Sequence, residues 1–310
     1  MIGIWYWCTD QYIIQRTLAA KNLKEARRGA LFGGFLKVWP VLIFLVPGLI
    51  GWALHEKGLM LIPTKDGGID GDQVFATMVT SLLPEGMRGL VVAGLLSALM
   101  SSLASLFNSC ATLFTVDIYE KLRPGMTEKH LVFVGRIATV CVVGAGLMWI
   151  PIMYNMAGGG IYKYLQAVQG YLAPPITAVF LLGLFWKRTT AQGAFLGLII
   201  GVALGVVKLC IEAYADNVGF EPGFMANLAR FNFLYYSGAL LIISVTIVVT
   251  VSFFTKPASE EQIAGITYPT LSAEDKKEIR ESWDKYDIIL TLIVGGLVLG
   301  MYLYFSFWLG

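Results

Sequence analysis

Seven apolar runs, each about as long as a bilayer is thick, constrain what this sequence can fold into. A helix needs about 20 mainly apolar residues to cross the hydrocarbon core. Such runs lie at 30–54, 88–116, 131–155, 164–186, 193–212, 231–255 and 286–310, and a partial span lies at 1–15. Only 14% of the 310 residues are charged, against about 25% in soluble domains. The sequence therefore predicts an all-α polytopic membrane protein, with one transmembrane domain over residues 1–310.

Basic residues alternate between the connections of these spans. The loops at 16–29, 117–130, 187–192 and 256–285 each carry Lys and Arg, whereas the connection at 213–230 holds only Arg230. Because cytoplasmic loops are enriched in Lys and Arg, we expect the basic loops, including the 256–285 loop, to lie in the cytoplasm. Both ends of the chain are then outside, in a multi-pass protein of the cell membrane.

Composition and motifs argue against several classes of function. A net charge of +2 gives no reason to expect a nucleic-acid partner. The four cysteines have no CxxC spacing and there are only two histidines, so we expect no metal centre of these ligands. No nucleophile elbow, P-loop or paired catalytic carboxylates are found. We therefore expect neither an enzyme nor an organic cofactor.

The segment Trp5-Tyr6-Trp7-Cys8-Thr9-Asp10-Gln11 places aromatic and polar side chains inside an apolar stretch. Aromatic faces pack against the C–H faces of a sugar ring, and amides and carboxylates bind its hydroxyls. The segment is also typical of an interfacial aromatic belt, in which Trp and Tyr anchor a helix at the headgroups. Residue type alone leaves both interpretations open.

Polar side chains also occur within the later spans. Lys37 lies well inside the 30–54 span, and an intramembrane charge is a functional candidate by default, although a lysine can also reach towards the headgroups. Gln166 is a candidate ligand or a helix–helix hydrogen bond. Gln169, one turn on, lies on the same face. Arg136 and Lys208 lie near span ends, where we expect them to snorkel.

Serines recur along the 88–116 span. Ser97, Ser101 and Ser105 are spaced four apart and share one face of a helix. Hydroxyl and carbonyl oxygens can replace the hydration shell of sodium, a hard cation. The same spacing of small residues allows membrane helices to pack closely, so the pattern alone favours neither interpretation.

Two motifs resemble one family. The run W-Y-W-C-T-D-Q-x-I-x-Q-R-x-L-A-A-K-N resembles the sodium/glucose cotransporter branch of the sodium:solute symporter family. A second match, in GLFWKRTTAQGAFLGLIIGVA, comprises Gly183-Leu184, Arg188, Gly193-Ala194, Gly197 and Gly201. The resemblance implies a transporter of two inverted repeats of five helices, with the site between them. This chain would supply the second repeat, beginning at its first helix, and three C-terminal helices. The first repeat would be missing, although a complete site requires it.

The resemblance also implies roles for particular residues. Tyr6, Trp7, Lys37 and Gln166 match positions near the sugar, and Gln169 joins them as the neighbour on the same face. The Ala98 carbonyl and the Ser101 and Ser102 hydroxyls match sodium ligands. Trp5, Asp10 and Gln11 belong to the same motif, where we expect them to organise the helix or act in gating.

Two positions depart from the family pattern. Ala104 stands where relatives that couple two sodium ions carry a hydroxyl, which favours a single sodium. Gly3 stands where relatives carry Asn or Thr near the sugar, which makes preference for glucose or galactose less certain.

The sequence thus predicts a sodium-coupled sugar symporter that works by alternating access in the lipid bilayer, with sodium and a hexose as its partners. The alternatives are a transporter of inositol, sialic acid or proline, and a membrane sensor or truncated protein that does not transport. A channel is a further alternative, but no filter-like loop supports it.

Overall fold

The computed structural model describes residues 2–65, 68–156, 160–217, 219 and 221–308. The helices, in chain order, are α1 (Ile2–Cys8), α2 (Gln11–Leu18), α3 (Leu23–Glu56), α4 (Val74–Leu82), α5 (Glu85–Thr112), α6 (Glu120–Leu122), α7 (Glu128–Met156), α8 (Ile161–Phe185), α9 (Ala191–Asn217), α10 (Phe224–Arg230), α11 (Phe233–Phe254), α12 (Glu260–Ile263), α13 (Ala273–Glu281) and α14 (Lys285–Trp308). Gly71–Gln73 and Tyr268–Thr270 form 3₁₀ turns, and Leu113–Tyr119 forms a π-helix. Two short strands, β1 (Thr64–Lys65) and β2 (Gly68–Ile69), pair antiparallel with Thr64 opposite Ile69.

Seven helices within the described ranges are long and apolar enough to cross a membrane. They are Leu23–Glu56, Glu85–Leu122, Glu128–Met153, Ile161–Phe185, Ala191–Ala215, Phe233–Phe254 and Lys285–Phe307. Each contains most of one apolar run of the sequence, so the prediction of an all-α polytopic membrane protein is confirmed. The arrangement in inverted repeats stays a prediction. Met1, Leu309 and Gly310, at the outer limits of two predicted spans, lie outside the described residues.

Most of the apolar surface of these helices is exposed in the chain. In an apolar stretch of 18 residues in the span Glu85–Leu122, 0% of the residues are buried. The largest share of buried residues in such a stretch, in the span Ile161–Phe185, is 39%. In water, contiguous apolar patches of more than a few hundred Å² are rare on monomeric proteins. The exposed surface therefore fits helices that are surrounded by lipid or by further protein.

The second predicted span is longer than expected and is irregular near its end. It runs from Glu85 to Leu122 because the π-helix Leu113–Tyr119 joins α5 to α6 without a break. The Tyr119 hydroxyl lies 2.8 Å from Nε2 of His130, in the first turn of the next span. The predicted end at residue 116 thus falls inside the π-helix.

The contacts divide the described chain into two compact units. The first comprises described residues within Met1–Arg16 and Pro151–Trp283, and the second comprises those within Thr17–Ile150 and Asp284–Gly310. That both belong to the single transmembrane domain expected from the sequence stays a prediction.

Helices α8, α9 and α11 pack together as the core of the first unit. Glycines at every fourth position of α9 allow this close approach. A Cβ at Gly201 would lie 2.6 Å from Cγ of Pro175, and one at Gly205 would lie 2.5 Å from the backbone oxygen of Tyr171. Gly193 and Gly197 meet α11 in the same way. These glycines are therefore required by packing.

One end of this three-helix core is closed by hydroxyl groups and an arginine. The Thr190 hydroxyl lies 2.7 Å from that of Thr255, and the Thr190 amide donates to Oγ of Ser252 at 3.2 Å. Arg188 donates to the carbonyl of Phe253 at 3.1 Å, which satisfies a free backbone acceptor at the end of α11. The charge pattern predicts that this end faces the cytoplasm.

The predicted 256–285 loop contains short helices rather than only irregular chain. Ser259 and Ser272 cap α12 and α13 through capping boxes. Tyr268 lies with its ring 6.1 Å from that of Phe185, at the end of α8. The connection therefore packs against α8 within the first unit, and its cytoplasmic location stays a prediction.

An ionic cluster joins α3 to α14 in the second unit. Asp287, whose side chain is fully buried, lies 3.4 Å from Nε of Arg28 and 3.8 Å from Arg27. Asp284 lies 3.4 Å from Nζ of Lys24 and 3.5 Å from Arg28. The cluster holds the start of the last span against the start of α3, although their sequences lie far apart.

Candidate functional site

The motif-bearing segment at the start of the chain is a broken helix. The sequence predicts one partial span over 1–15, but the structure has two helices, α1 and α2, with Thr9 and Asp10 between them. The Trp5 carbonyl accepts the backbone amides of Thr9 and Asp10, at 2.9 and 3.2 Å, and the Thr9 hydroxyl at 2.7 Å. The predicted partial span is therefore interrupted at Thr9 and Asp10, and the span assignment itself stays a prediction.

Asp10 begins the second half of this broken helix. Its Oδ1 accepts the amide of Tyr12 at 3.1 Å, and its carbonyl accepts the amides of Ile13 and Ile14 at 3.0 and 2.9 Å. Capping by a carboxylate satisfies amides that have no partner within the helix. The geometry gives Asp10 a structural task at the break, whereas its part in gating stays a prediction.

The other residues of the motif differ in exposure. Trp7 is 36% exposed, and its ring meets that of Tyr6 edge to face with centroids 6.0 Å apart. Trp5 is half-buried. Oε1 of Gln11 is buried and has no hydrogen-bond partner among the described residues, and such an orphaned buried acceptor requires an explanation.

Helix α1 packs against α8, which carries the two predicted glutamine ligands. Cδ1 of Ile2 lies 4.0 Å from the position of a Cβ on Gly170. Tyr6 lies one turn from this contact on α1, and Gln166 lies one turn from it on α8. Gln166 donates to the Tyr162 hydroxyl at 2.8 Å, and Gln169 is exposed.

Lys37 lies inside a membrane helix in the second unit. It is exposed on α3, nine residues beyond Arg28 of the ionic cluster, or about 13 Å at 1.5 Å per residue. The intramembrane position of its charge stays a prediction.

The predicted sodium ligands lie on α5, also in the second unit. Ala98, Ser101 and Ser102 are exposed on this helix. The Ser101 carbonyl accepts the Ser105 hydroxyl at 3.2 Å, and Ser105 accepts that of Ser109 at 3.0 Å. Hydroxyl oxygens are hard donors of the kind that sodium binds, so the residue types fit the ion.

The predicted ligands are thus divided between the two units. The first unit holds the aromatic motif, Gln166 and Gln169, and the second holds Lys37 and the sodium candidates. The predicted roles of all these residues stay predictions.

The expectation that Lys208 snorkels is wrong. Its side chain is fully buried, and its ammonium donates to Oε1 of Glu212 at 2.6 Å and to the carbonyl of Ala229 at 3.1 Å. It also lies 5.9 and 5.7 Å from the ring centroids of Tyr171 and Tyr236. Lys208 turns inwards because a carboxylate, a carbonyl and two aromatic faces together replace its hydration.

The Lys208 network continues into α8. The Tyr171 hydroxyl donates to the same oxygen of Glu212 at 2.5 Å, and Tyr236 donates to the carbonyl of Leu204 at 3.0 Å. The spacing of Lys208 and Glu212, four residues apart on one helix face, could have indicated the pair. The contribution of Tyr171 could not be read from the sequence.

Comparisons with known proteins agree with the resemblance. The profile of the sodium:solute symporter family matches residues 1–201. Sodium/glucose cotransporter 4 of Danio rerio is 38% identical over 92% of this chain and 45% of its own length. Sodium/myo-inositol cotransporter 2 of Homo sapiens is 41% identical over 86% of this chain and 41% of its own. Sodium/glucose cotransporter 1 of Oryctolagus cuniculus is 37% identical over 89% and 43%.

The chain spans less than half the length of these relatives. The family is one of symporters, which move solutes across membranes and are not enzymes. Together with seven apolar helices long enough to cross a membrane, the matches identify a multi-pass membrane protein. This chain belongs to the sodium:solute symporter family.

Proposed function

We propose that the protein containing this chain is a sodium-coupled symporter of a hexose or a related polyol. The observation that carries the proposal is the similarity to cotransporters named for sodium with glucose or myo-inositol, over 86–92% of the chain. The broken helix α1–α2, whose first half packs on α8, supports it, because inverted-repeat transporters build their binding sites from discontinuous helices.

In the proposed cycle, sodium binds first and stabilises an outward-open state. The Ala98 carbonyl and the hydroxyls of Ser101 and Ser102 bind the ion, and oxygens from a part of the protein outside this chain complete its shell. The ligand set contains no carboxylate, so affinity is weak enough for the ion to be released in each cycle. Sodium therefore acts as the coupling ion, and no organic cofactor takes part.

The solute then binds near the middle of the membrane. Tyr6 and Trp7 provide aromatic faces for the ring, and Lys37, Gln166 and Gln169 bind its hydroxyls. Trp5, Asp10 and Gln11 organise the broken helix, so that rocking opens the site inwards and releases both solutes.

Myo-inositol is a second candidate solute. A myo-inositol cotransporter is 41% identical to this chain, and Gly3 lacks the side chain that the resemblance places near a hexose. The competing candidates are tested by uptake of labelled glucose and labelled myo-inositol in the same cells, each in competition with the unlabelled other solute.

The test of the proposed function is uptake with sodium replaced by choline. We expect uptake to depend on sodium, to be abolished by Ser102→Ala and to be weakened by Lys37→Ala. Uptake that is unaffected by choline would contradict sodium coupling. A protein that binds solute without moving it would favour the alternative of a sensor.

A further inference from the structure

A cavity opens in the first unit where α8 begins, α9 ends and α11 begins. Its volume is about 460 Å³, within the range of roughly 300–1,000 Å³ for small-molecule sites. Three charged residues, Lys163, Glu212 and Arg230, are among the residues that line it. None of the predicted sugar or sodium ligands lines it, so the proposed transport site leaves this cavity unassigned.

The negative charge of the carboxylate at this cavity is balanced by a neighbouring ammonium group. Oε1 of Glu212 accepts the ammonium of Lys208 at 2.6 Å and the hydroxyl of Tyr171 at 2.5 Å. Lys208 is fully buried behind the cavity wall, whereas a quarter of the Glu212 side chain is exposed. The pair is neutral as a whole and adds no net charge to the cavity.

Two cations remain. Lys163 and Arg230 are exposed, and neither forms an ion pair with a carboxylate within the described ranges. Because the Lys208–Glu212 pair is neutral, the cavity carries the two positive charges of Lys163 and Arg230. Charged residues around a concave site raise the local concentration of ions of opposite sign.

The walls suit an organic molecule. Phe231 and Phe233 contribute aromatic groups at the start of α11. Tyr164 is only 8% exposed, and its hydroxyl is buried without a hydrogen-bond partner among the described residues. Oδ1 of Asn232 accepts the amide of Leu234 at 2.9 Å, which leaves its amide group as a donor. Thus the cavity combines donors and cations with apolar surface.

We propose that this cavity binds a small organic anion, with a carboxylate held by Lys163 and Arg230 and an organic body against the aromatic walls. Arg binds carboxylates through its planar fork, and Lys adds a point charge. A neutral sugar would leave both cations uncompensated. The site goes beyond the proposed symport, since its ligand differs in charge from a hexose.

The experiment compares two ligands that differ mainly in one carboxylate. The protein containing this chain is placed in nanodiscs of zwitterionic lipid, and its thermal unfolding midpoint is measured with sodium glucuronate, with glucose plus sodium chloride, and with sodium chloride alone, at equal sodium. We expect the midpoint to rise with the concentration of glucuronate until it saturates, and not to rise with sodium chloride alone. A rise with glucose would come from the proposed transport site and should be unchanged in Lys163→Gln and Arg230→Gln.

Single substitutions test whether the stabilisation by glucuronate arises in this cavity. Lys163→Gln and Arg230→Gln are each expected to raise the apparent Kd for glucuronate about tenfold or more, because each removes one charge-assisted hydrogen bond. Both residues are exposed, so the substitutions leave the packed core intact. Lys256→Gln is the matched control, because Lys256 is an exposed cation outside the cavity, and it should bind glucuronate like the unmodified chain.

Four outcomes would overturn the proposal. The first is no stabilisation by glucuronate. The second is a stabilisation by glucose that Lys163→Gln and Arg230→Gln weaken as much as they weaken that by glucuronate, which would indicate a neutral-sugar site. The third is equal stabilisation by chloride, which would indicate screening. The fourth comes from discs that contain phosphatidylglycerol: if they stabilise the chain by themselves, and Arg230→Gln removes that effect, the cavity binds a lipid headgroup rather than a soluble anion.

Discussion

The ammonium of Lys208 lies 2.6 Å from the carboxylate of Glu212 on the same helix, and no part of the lysine side chain is exposed. A buried pair of this kind contributes little to stability as a whole, but removal of one partner leaves an uncompensated charge. Because the pair of Lys208 and Glu212 lies between α8, α9 and α11, substitution of either residue tests the packing of the first unit.

Lys208→Met should destabilise the chain by about 3–5 kcal/mol, because Glu212 then loses its counter-charge. The double variant Lys208→Met/Glu212→Gln should be more stable than the single variant, since neither charge remains. Unfolding midpoints of the purified chain in detergent provide the measurement. A single variant as stable as the unmodified chain would contradict a buried pair.

Gly205→Ala should destabilise the three-helix core, because the added Cβ would lie 2.5 Å from the backbone oxygen of Tyr171. Overpacking of this kind typically costs about 1–3 kcal/mol. The matched control is Gly183→Ala, where a Cβ would have no neighbour within 4 Å. The fraction of monodisperse protein after heating should fall only for Gly205→Ala, and equal loss in both variants would argue against the glycine contact.

Asp284 should make the stability of the second unit depend on pH. Desolvation by burial raises the pKa of its carboxyl, but hydrogen bonds from Lys24 and from backbone amides outweigh this, so that the pKa lies below its ordinary value. The ionised form therefore stabilises the folded state above the unfolded pKa of about 4. This contribution is lost as the pH falls through the lower folded pKa.

The pH prediction is tested with Asp284→Asn, which cannot ionise. Between pH 5 and 3, the unfolding midpoint of the unmodified chain should fall more steeply than that of the variant. Parallel curves would show that Asp284 makes no pH-dependent contribution.

The sequence predicts features that depend on neighbouring residues better than features that depend on contacts between distant segments. The seven long spans follow from apolar runs, which act locally. The sequence does not predict the break at Thr9 and Asp10, although Asp is a common capping residue, because the apolar run around it favours a continuous helix.

Contacts between distant segments could not be predicted. No local pattern pairs Arg28 with Asp287, which lies 259 residues further along the chain. Gly193, Gly197 and Gly201 match a family signature, but the signature does not specify that α8 and α11 pack against them. The inward turn of Lys208 likewise depends on Tyr171, from another helix.

Ser102→Ala should abolish sodium-driven uptake by the complete protein, because a hydroxyl ligand is lost without a change in backbone. Ser97→Ala is the control, since Ser97 is also exposed on α5 but is not among the predicted ligands. Uptake at a series of sodium concentrations separates an effect on sodium from one on protein abundance. Equal effects of both substitutions would argue that these serines serve helix packing.

The most direct test of the central claim is uptake of labelled glucose and myo-inositol by cells that produce the protein containing this chain, in sodium and in choline medium. We predict that at least one of the two solutes accumulates in sodium and that choline reduces its uptake to the level of cells without the protein. Equal uptake in both media, above that background, would contradict sodium-coupled transport.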